Sequence, residues 1–307
     1  MRTVYLGTTD FAATVLRRLA ASDHRPRLVV TRPDSPRGRG RRLQSPPVAD
    51  AARDLGIDVD QPESVNAEDA RARIAASEPG AVCICAFGAL IREPLLSDHE
   101  MFNVHPSLLP RWRGAAPIER AIEAGDAQTG VSIMRPIAEL DAGPVYLERA
   151  TPIRDDDDYG SLAGRLAPLA GDVLVEALTA RPEPREQPEE GVTYAEKIDR
   201  AERRLDLERP PDVLARTVRA LTPHVGAYTE TPGGERLGVR RVIAASESPC
   251  LAPGELTVID GRLLLGCSAG ALELLEVQPP GGKPMAAADY LRGRASALVG
   301  GEDAAGG

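Results

Sequence analysis

Two side chains of complementary chemistry stand two residues apart in the stretch FNVHPSLLP, residues 102–110. Asn103 carries an amide that donates and accepts hydrogen bonds, and His105 carries an imidazole that titrates near neutral pH. Together they are able to hold a polar group of a ligand and to exchange a proton with it. The same residue types also occur as buried, hydrogen-bonded side chains of an ordinary core, so the pair by itself leaves both interpretations open.

A strand and a rigid turn must position this pair. FNVH alternates between apolar and polar residues, which predicts a β-strand with Asn103 and His105 on one face near its carboxyl end. The following PSLLP has a proline at each end, and proline restricts the backbone. We therefore expect a rigid wall whose backbone N–H and C=O groups bind a flat heterocycle or the tail of a cofactor.

The first half of the chain alternates apolar strands with amphipathic helices. Strands are predicted at TVYLG, RLVVT, AVCICAF and FNVH, and helices at residues 10–21, PVADAARDLG, residues 67–77 and PIERAIEAG. The alternation predicts a mostly parallel sheet wrapped by helices, a Rossmann-like α/β fold. Ligands bind such sheets at the carboxyl ends of strands, so the loops after Leu6, Phe87, His105 and Leu140 are expected to form one site.

An acidic residue joins these candidates through its position between two strands. Asp141 lies in the turn ELDAG, which separates the predicted strands VSIMRP and PVYLERA. That placement puts a carboxylate at the sheet end where a ligand is expected to bind. An aspartate that only stabilises its own turn is the alternative interpretation.

The second half of the chain has a different composition. A helix over residues 159–180 is followed by PEPREQPEEG, which is rich in proline and acids and predicts a linker or an exposed excursion. Short strands with glycine turns then predict a small β-barrel or sandwich. We expect a Rossmann-like catalytic domain at residues 1–185, a linker at 186–202 and a small OB-like β-barrel domain at 203–307.

Composition excludes several classes of protein. Of 307 residues, 42% are hydrophobic and 27% charged, which is typical of globular proteins rather than of disordered or fibrous chains. The chain shows no secretion signal and no apolar run near the ~18 residues of a membrane span, so a cytoplasmic location is expected. Cys83 and Cys85 share one face of a buried strand, which predicts core thiols, and the isolated Cys250 and Cys267 suggest no zinc site.

Charge is distributed unevenly along the chain. The net charge of -9 argues against a uniformly basic nucleic-acid binder, but RPDSPRGRGRR, residues 32–42, carries five arginines and one acid. Proline and glycine in this stretch predict a mobile loop. Contact with nucleic acid and a simply solvated surface are both consistent with it. The acidic run at residues 155–158 precedes a helix, where acids are expected to cap the helix or face solvent rather than bind metal.

Seven motifs, taken in order and with their separations, carry a resemblance to a known family. They are GTTDFA, RPDSPRGRGR, AFGALI, FNVHPSLLPRWRGAAPIERAI, TGVSIM, ELDAGPV and VTYAEKI. The chain resembles, over most of its length, the methionyl-tRNA formyltransferases of the formyltetrahydrofolate-dependent formyltransferase family. The family as a whole shares N-x-H, SLLP and a downstream aspartate, whereas RWRGAAPI, the basic loop and VTYAEKI are more specific to the tRNA enzymes.

The resemblance implies an activity and a set of catalytic residues. The formyl group of 10-formyltetrahydrofolate would pass to the α-amino group of initiator methionyl-tRNA, with no metal, for the initiation of translation. Asn103, His105 and Asp141 would be catalytic: Asn103 and protonated His105 stabilise the tetrahedral oxyanion, and His105 balanced by Asp141 moves the proton. A monomer is expected on the same ground.

The resemblance also implies binding residues. The folate site would consist of residues in the wall and in the loop after AVCICAF, namely Ser107, Leu108, Leu109, Pro110, Phe87, Gly88, Leu90 and Ile91, with backbone groups doing most of the recognition. The basic loop would enter the acceptor arm of the tRNA through Arg37, Arg39, Arg41 and Arg42. Arg240 and Arg241 would extend this contact in the C-terminal domain.

Some positions depart from the family pattern, and other functions compete. LDAGPV has Ala142 and Pro144 where the family often has a threonine and an acid, GTTDFA has Thr9 where proline is common, and LTPHVGAY replaces a Trp-containing motif. A formyltransferase for nucleotide-linked amino sugars would keep the catalytic residues without the arginines. A dinucleotide-dependent oxidoreductase would need G-x-G-x-x-G after the first strand, and an RNA-binding module would not need Asn103, His105 and Asp141 to converge.

Overall fold

The protein is described by a computed structural model over residues 1–37, 42–245 and 251–298. It divides into two compact units that interleave along the sequence. The first contains Met1–Pro117, Ala127–Pro152 and Leu162–Glu196, and the second contains Ile118–Asp126, Ile153–Ser161 and the described residues from Lys197 onward. The domain limits at residues 185 and 203 remain a prediction.

The first unit is built on a seven-stranded, mostly parallel sheet. Its strands, together with two short outlying pairs, are β1 Thr3–Gly7, β2 Pro26–Val30, β3 Ser35–Arg37, β4 Arg42–Gln44, β5 Asp58–Asp60, β6 Ala81–Cys85, β7 Met101–His105, β8 Arg113–Gly114, β9 Gln128–Met134, β10 Val145–Pro152 and β11 Tyr194–Ala195. The sheet order is β10-β9-β7-β6-β1-β2-β5. Strands β5, β2, β1, β6 and β7 run parallel to one another. Strand β9 runs antiparallel to β7, and β10 runs antiparallel to β9.

Helices cover the sheet. In chain order they are α1 Asp10–Ala20, α2 Pro47–Asp54, α3 Glu68–Ala76, α4 Leu95–Asp98 and α6 Tyr159–Ala180, whereas α5 Pro117–Ala124 belongs from Ile118 onward to the second unit. Strands β1 and β6 are buried along their whole length, as expected for central strands of a parallel sheet. Val4 and Leu6 of β1 pack with Ile74 of α3 and Leu95 of α4 on one face. Tyr5, on the other face, donates a 2.6 Å hydrogen bond to the carbonyl of Ala12 in α1.

The first helix starts at a residue where the chain departs from the family pattern. Thr9 is the N-cap of α1, and its hydroxyl accepts a hydrogen bond from the backbone N–H of Ala12 at 3.3 Å. Threonine satisfies one of the four free N–H groups at a helix start, which proline cannot do with a side chain. The substitution at this turn is therefore compensated locally.

The thiols of β6 belong to the core, as predicted. Cys83 and Cys85 are buried free cysteines. Burial raises the pKa of Cys83 far above its usual range and raises the pKa of Cys85 to about 12. Thiolates are the reactive form, so neither residue takes part in chemistry at neutral pH.

The arginine-rich stretch is more ordered at its ends than the sequence predicts. Strands β3 and β4 pair antiparallel, with Arg37 opposite Arg42, so the prediction of an irregular loop is wrong for residues 35–37 and 42–44. Pro36 lies in this outlying two-stranded ribbon, where a missing N–H is tolerated at an edge. Arg39 and Arg41 lie outside the described residues, as do the other two residues between the strands.

The second unit is antiparallel. Its strands are β12 Ala227–Glu230, β13 Arg236–Ala244, β14 Leu256–Ile259, β15 Arg262–Cys267, β16 Gly270–Gln278 and β17 Met285–Ala286, and its later helices are α7 Pro211–Leu221 and α8 Ala287–Leu298. The order is β12-β13-β16-β15-β14, with β17 on β16. Leu214 and Val218 of α7 pack with Val239, Leu265 and Leu272 in its core. A Rossmann-like sheet followed by an antiparallel β domain confirms the predicted fold class.

The acidic run before α6 caps the helix, in agreement with the sequence. Asp158 accepts a hydrogen bond from the backbone N–H of Ser161 at 2.8 Å, and buried Asp157 accepts one from the Ser161 hydroxyl at 2.8 Å. Within the described residues, no three histidine, cysteine or acidic side chains group as metal ligands. Among the helices described, none is long and apolar enough to span a bilayer.

Candidate active site

His105 ends strand β7 and is fixed by a main-chain carbonyl. Its side chain is only 5% exposed, and its Nε2 lies 2.8 Å from the carbonyl oxygen of Trp112. A carbonyl only accepts hydrogen bonds, so Nε2 carries a hydrogen whether the ring is neutral or charged. The nitrogen that gains and loses a proton is therefore Nδ1.

Nδ1 of His105 faces the predicted acid. It lies 3.6 Å from Oδ2 of Asp141, whose side chain is 14% exposed, and the same oxygen accepts a 3.0 Å hydrogen bond from the N–H of Gly114. A separation of 3.6 Å exceeds a hydrogen bond, so the carboxylate faces the imidazole without bonding to it directly. The arrangement gives a buried histidine a carboxylate beside its Nδ1.

Asp141 reaches His105 by a route that the sequence does not predict. Strand β9 runs antiparallel to β7, so the turn after it does not lie at the common carboxyl edge of the parallel strands. The loop instead closes on itself, since Arg135 donates its N–H to the carbonyl of Pro144 at 2.9 Å. Gly143 permits this closure, because a Cβ there would lie 1.9 Å from the carbonyl oxygen of Arg135.

Asn103 shares the strand face of His105, as predicted. It is partly exposed and lies opposite Met134 of β9, and its Nδ2 is 3.5 Å from the sulfur of that methionine. A thioether is a weak acceptor, so the amide retains donor capacity for a stronger acceptor such as a carbonyl oxygen or an oxyanion. Asn103 and His105 thus offer two donor side chains at one end of β7.

Backbone strain is concentrated around these groups. Six non-glycine residues in the described part of the chain have left-handed φ angles, and three of them, Ala86, Trp112 and Asp141, lie in the loops that surround the pair. Such residues cost about 1–2 kcal/mol each and often mark functional sites. Here the strained Trp112 supplies the carbonyl for Nε2 of His105, and the strained Asp141 supplies the carboxylate.

The PSLLP turn is held from beneath by a buried serine. Ser132 of β9 donates from its hydroxyl to the carbonyl of Ser107 at 2.7 Å and accepts from the N–H of Leu109 at 3.0 Å. Ser107 is itself fully buried, and its hydroxyl donates to the carbonyl of Arg111 at 2.6 Å. The side chain of Ser107 therefore stabilises the turn, while Leu108 and Pro110 are partly exposed on it.

The predicted folate-binding residues in the loop after β6 differ in their exposure to solvent. Phe87 is 5% exposed and packs in the core, and its carbonyl accepts a 2.8 Å hydrogen bond from the hydroxyl of Thr8. Gly88 has φ +74° and is exposed, Leu90 is 61% exposed, and Ile91 is half-buried. Leu90 and Gly88 face solvent at the carboxyl end of β6, whereas Phe87 supports them from below.

A segment between the two predicted domains carries contacts to this site. Residues 185–195 are joined to β10 by the pairing of Arg185 with Val145 and to β8 by the pairing of β11. Within this segment, Gln187 bonds to the turn that contains Asp141, and Thr193 bonds to the turn that contains Trp112. We call residues 185–195 the strap.

The predicted tRNA-binding arginines fall in three places. Arg42 is exposed on β4, Arg37 ends β3, and Arg39 and Arg41 lie outside the described residues. In the second unit, Arg240 donates to Oε1 of Gln278 at 3.0 Å from its Nε. Arg240 and exposed Arg241 line a cavity of about 760 Å³ together with Arg219 and three aspartates, Asp155, Asp156 and Asp158.

The chain matches known protein families across most of its length. Residues 1–178 match the family described as formyl transferase, and residues 197–295 match the C-terminal domain of formyl transferases. The chain belongs to the formyl transferase family. The unmatched residues between the two regions include Gln187 and Thr193 of the strap.

Curated formyl transferases are similar over nearly their whole length. The methionyl-tRNA formyltransferase of Ruegeria pomeroyi is 43% identical over 95% of this chain and 97% of its own length. That of Methylococcus capsulatus is 43% identical over 97% of this chain and 98% of its own length. That of Stenotrophomonas maltophilia strain K279a is 44% identical over 98% of this chain and its full length.

Several solved structures share the fold at low sequence identity. HypX from Aquifex aeolicus in complex with tetrahydrofolic acid has a TM-score of 0.66 at 19% identity, covering 97% of this chain and 48% of that one. Methionyl-tRNA formyltransferase from Clostridium thermocellum has a TM-score of 0.57 at 14% identity, covering 80% and 94%. At such identities the likeness concerns the fold alone.

Several residues of this formyl transferase site were not singled out by the sequence. Ser132, Arg113 and Thr193 lie inside the motifs TGVSIM, RWRG and VTYAEKI, so the motifs marked their neighbourhood without indicating a role. Gln187 carried no signal, because it lies in a proline-rich acidic stretch that is typical of a linker. Gly114 has φ +127° and approaches the strap closely, since a Cβ there would be 2.6 Å from the carbonyl oxygen of Ala195.

Proposed function

We propose that this chain transfers the formyl group of 10-formyltetrahydrofolate to the α-amino group of initiator methionyl-tRNA. The observation that carries the chemistry is the buried His105 with Asp141 beside its titrating nitrogen and Asn103 on the same strand face. The near full-length similarity to curated methionyl-tRNA formyltransferases supports the choice of acceptor.

Attack by the amine on the formyl carbon creates a tetrahedral centre with a negatively charged oxygen. Asn103 donates to that oxygen through its amide, and the His105 imidazolium adds a second donor through Nδ1–H. Fixed donors aimed at a developing oxyanion lower the barrier by about 3–4 kcal/mol each. Both side chains are held by the sheet, so little reorganisation accompanies the reaction.

The proton balance runs through the same histidine. The amine nitrogen holds one proton too many once its bond to carbon has formed, and N10 of the folate needs one as its bond to carbon breaks. The imidazolium of His105 gives its Nδ1 proton to N10 as that bond breaks, and the neutral ring then takes the extra proton from the new formylamide nitrogen at the same Nδ1, since Nε2 stays bonded to the carbonyl of Trp112. Asp141 stabilises the imidazolium, and the products are the formylamide and tetrahydrofolate with no net proton released.

The folate cosubstrate is proposed to lie between the PSLLP turn and the loop after β6. Leu108, Pro110, Gly88 and Leu90 offer exposed surface there, and Leu109 is held beneath it by Ser132. The buried positions Phe87 and Ser107 contribute through the backbone and through support of the loops. Ile91 completes the apolar side of the site.

The tRNA is proposed to be bound by the arginines of the β3–β4 region. Replacing Arg39, Arg41 and Arg42 together by alanine is expected to raise KM for the tRNA at least about 10-fold. It should also reduce the slope of log KM against log salt by about 2, because each lost phosphate contact removes about 0.7–0.9 from the slope. Steady-state kinetics from 50 to 200 mM salt measure both quantities, and kcat at saturating tRNA should stay near that of the wild type.

The matched control for this variant removes three arginines of the first unit that lie outside the β3–β4 region. Arg2 precedes β1, Arg27 lies near the start of β2, and Arg181 is paired with Glu100 just before β7. Replacing these three leaves the same net charge as the loop variant. Equal tRNA kinetics in the two triple variants would reject a specific role for the loop.

The acceptor is tested by one assay with two candidate acceptors. With 10-formyltetrahydrofolate as donor, kcat/KM for initiator methionyl-tRNA is expected to exceed that for a nucleotide-linked amino sugar by at least about 1,000-fold, because the sugar lacks the arms that the arginines bind. Radiolabelled formyl groups measure both products. A preference for the amino sugar would contradict the proposed function and support the alternative of a sugar N-formyltransferase.

We further propose that the protein acts as a monomer in the cytoplasm, where initiation of translation takes place. Its thiols are consistent with a reducing compartment, since the described cysteines Cys83, Cys85 and Cys267 are free.

A further inference from the structure

The strap connects to both groups that contact the catalytic imidazole. On one side, Thr193 accepts from the N–H of Trp112 through its hydroxyl at 2.9 Å, and its carbonyl accepts from the N–H of Arg113 at 2.9 Å. Trp112 is the residue whose carbonyl fixes Nε2 of His105. On the other side, Gln187 reaches the turn of Asp141. One short segment therefore holds both neighbours of His105.

Gln187 makes three hydrogen bonds that use both ends of its amide. Its Nε2 donates to the carbonyl of Asp141 at 2.8 Å and to the carbonyl of Gly143 at 2.7 Å. Its Oε1 accepts from Nε of the buried Arg113 at 3.0 Å. The two carbonyls and the arginine together leave only one orientation of the amide that satisfies all three partners.

These bonds hold Asp141 in a conformation that it would not favour by itself. Asp141 has φ +48°, in the left-handed region, where a non-glycine residue needs support from its surroundings. Its carboxylate is fixed by the N–H of Gly114, and Gly114 in turn lies against Ala195 of the strap. A rotation of the Asp141 backbone would move the carboxylate away from Nδ1 of His105.

We propose that Gln187 is a positioning residue for formyl transfer, which acts by holding the Asp141 carboxylate beside Nδ1 of His105. This inference rests on the proposed function and assigns a role to a residue outside the catalytic three. Arg113 orients Gln187 through Oε1, and the Gln187 amide holds the main chain of the turn from which the Asp141 carboxylate extends toward His105. Misplacement of a group by about 1 Å costs about 100-fold in rate, which sets the scale of the effect.

Two variants test the proposal. Gln187→Glu keeps the size of the side chain and the acceptor for Arg113, but it replaces the two N–H donors with an oxygen facing two carbonyls. Gln187→Ala removes all three bonds. Both are expected to lower kcat by about 10- to 100-fold with KM for folate and tRNA changed less than about threefold, because substrate contacts are kept.

A second readout follows His105 itself. NMR of the His105 ring at one fixed pH should show its resonances displaced from the wild-type positions in both variants, because the Asp141 carboxylate no longer lies 3.6 Å from Nδ1. The chain has only four histidines, and His105→Ala identifies the relevant signal.

The matched control is Gln61→Ala in the same unit. Gln61 is also half-buried, donates to the carbonyl of Arg32 at 3.0 Å and accepts from Arg53 at 3.1 Å. Its kcat and the ring resonances of His105 should match the wild type, with any loss confined to thermal stability.

The outcomes separate this inference from the proposed function. A wild-type protein that does not formylate methionyl-tRNA contradicts the proposed function, and the His105 ring resonances still report whether Gln187 positions Asp141. An active wild type with unchanged kcat and unchanged His105 ring resonances in both Gln187 variants overturns the inference. Loss of the folded state in both variants, seen by circular dichroism, would also overturn it, because Gln187 would then be a residue of stability alone.

Discussion

Replacing His105 by alanine is expected to lower kcat for formyl transfer by about 1,000-fold while the fold is kept. The variant loses the imidazole whose Nδ1 faces Asp141, and general acid–base catalysis contributes about 10²–10⁴ in rate. KM for both substrates should change little, because binding surfaces stay in place. Single-turnover assays with saturating folate and methionyl-tRNA measure the effect directly.

Two further variants make the His105 result specific. His105→Ala removes the hydrogen bond from Nε2 to the carbonyl of Trp112. His105→Gln offers an amide N–H to that carbonyl, so it should unfold closer to the wild-type temperature. His99→Ala removes an imidazole just before β7, and its kcat should be that of the wild type. An alanine variant of His105 that keeps more than about a tenth of the activity would reject an essential role.

Replacing Asn103 by alanine is expected to lower kcat by about 100- to 1,000-fold, the usual cost of removing one oxyanion donor. KM for the folate should be nearly unchanged, because the interaction strengthens only as charge develops on oxygen. Asn103→Asp has the same shape but places a negative charge where the donor stood. Its kcat should fall below that of the alanine variant, because the carboxylate repels the oxyanion.

The order of activities decides between an electrostatic and a packing role for Asn103. An electrostatic role gives wild type above alanine and alanine above aspartate at the same folded stability. If the aspartate variant were as active as the wild type, shape alone would matter at this position and the oxyanion role would be rejected. Thermal unfolding of each variant confirms that the proteins compared are folded.

Local patterns in the sequence were sufficient for the framework. The uninterrupted apolar runs TVYLG and AVCIC became the buried strands β1 and β6, since central strands of a parallel sheet have two buried faces. The alternation in FNVH correctly put Asn103 and His105 on one face of a strand. The proline and glycine around the arginines predicted a loop, whereas residues 35–37 and 42–44 pair as short strands, since Pro36 is tolerated at the edge of a two-stranded ribbon.

The arrangement proposed for catalysis depends on contacts between residues that are distant in the sequence, and no local pattern encodes such contacts. Asp141 was expected at the carboxyl edge of a parallel sheet, but β9 is antiparallel, and the carboxylate reaches His105 because its loop closes over Gly143. Which nitrogen of His105 titrates was decided by the carbonyl of Trp112.

The strap shows most clearly the difference between what the sequence predicts and what the tertiary structure decides. Its proline-rich, acidic composition predicts an exposed linker, and that is all that composition is able to report about residues 186–202. Gln187 nevertheless bonds to Asp141, 46 positions earlier, and to Arg113, 74 positions earlier. The sequence by itself determined the family, the sheet and the residue types able to transfer a formyl group, because these follow from periodicity and motifs along the chain. Only the tertiary structure decided which backbone groups orient them, because a hydrogen bond between distant residues depends on where the whole fold brings the chain back.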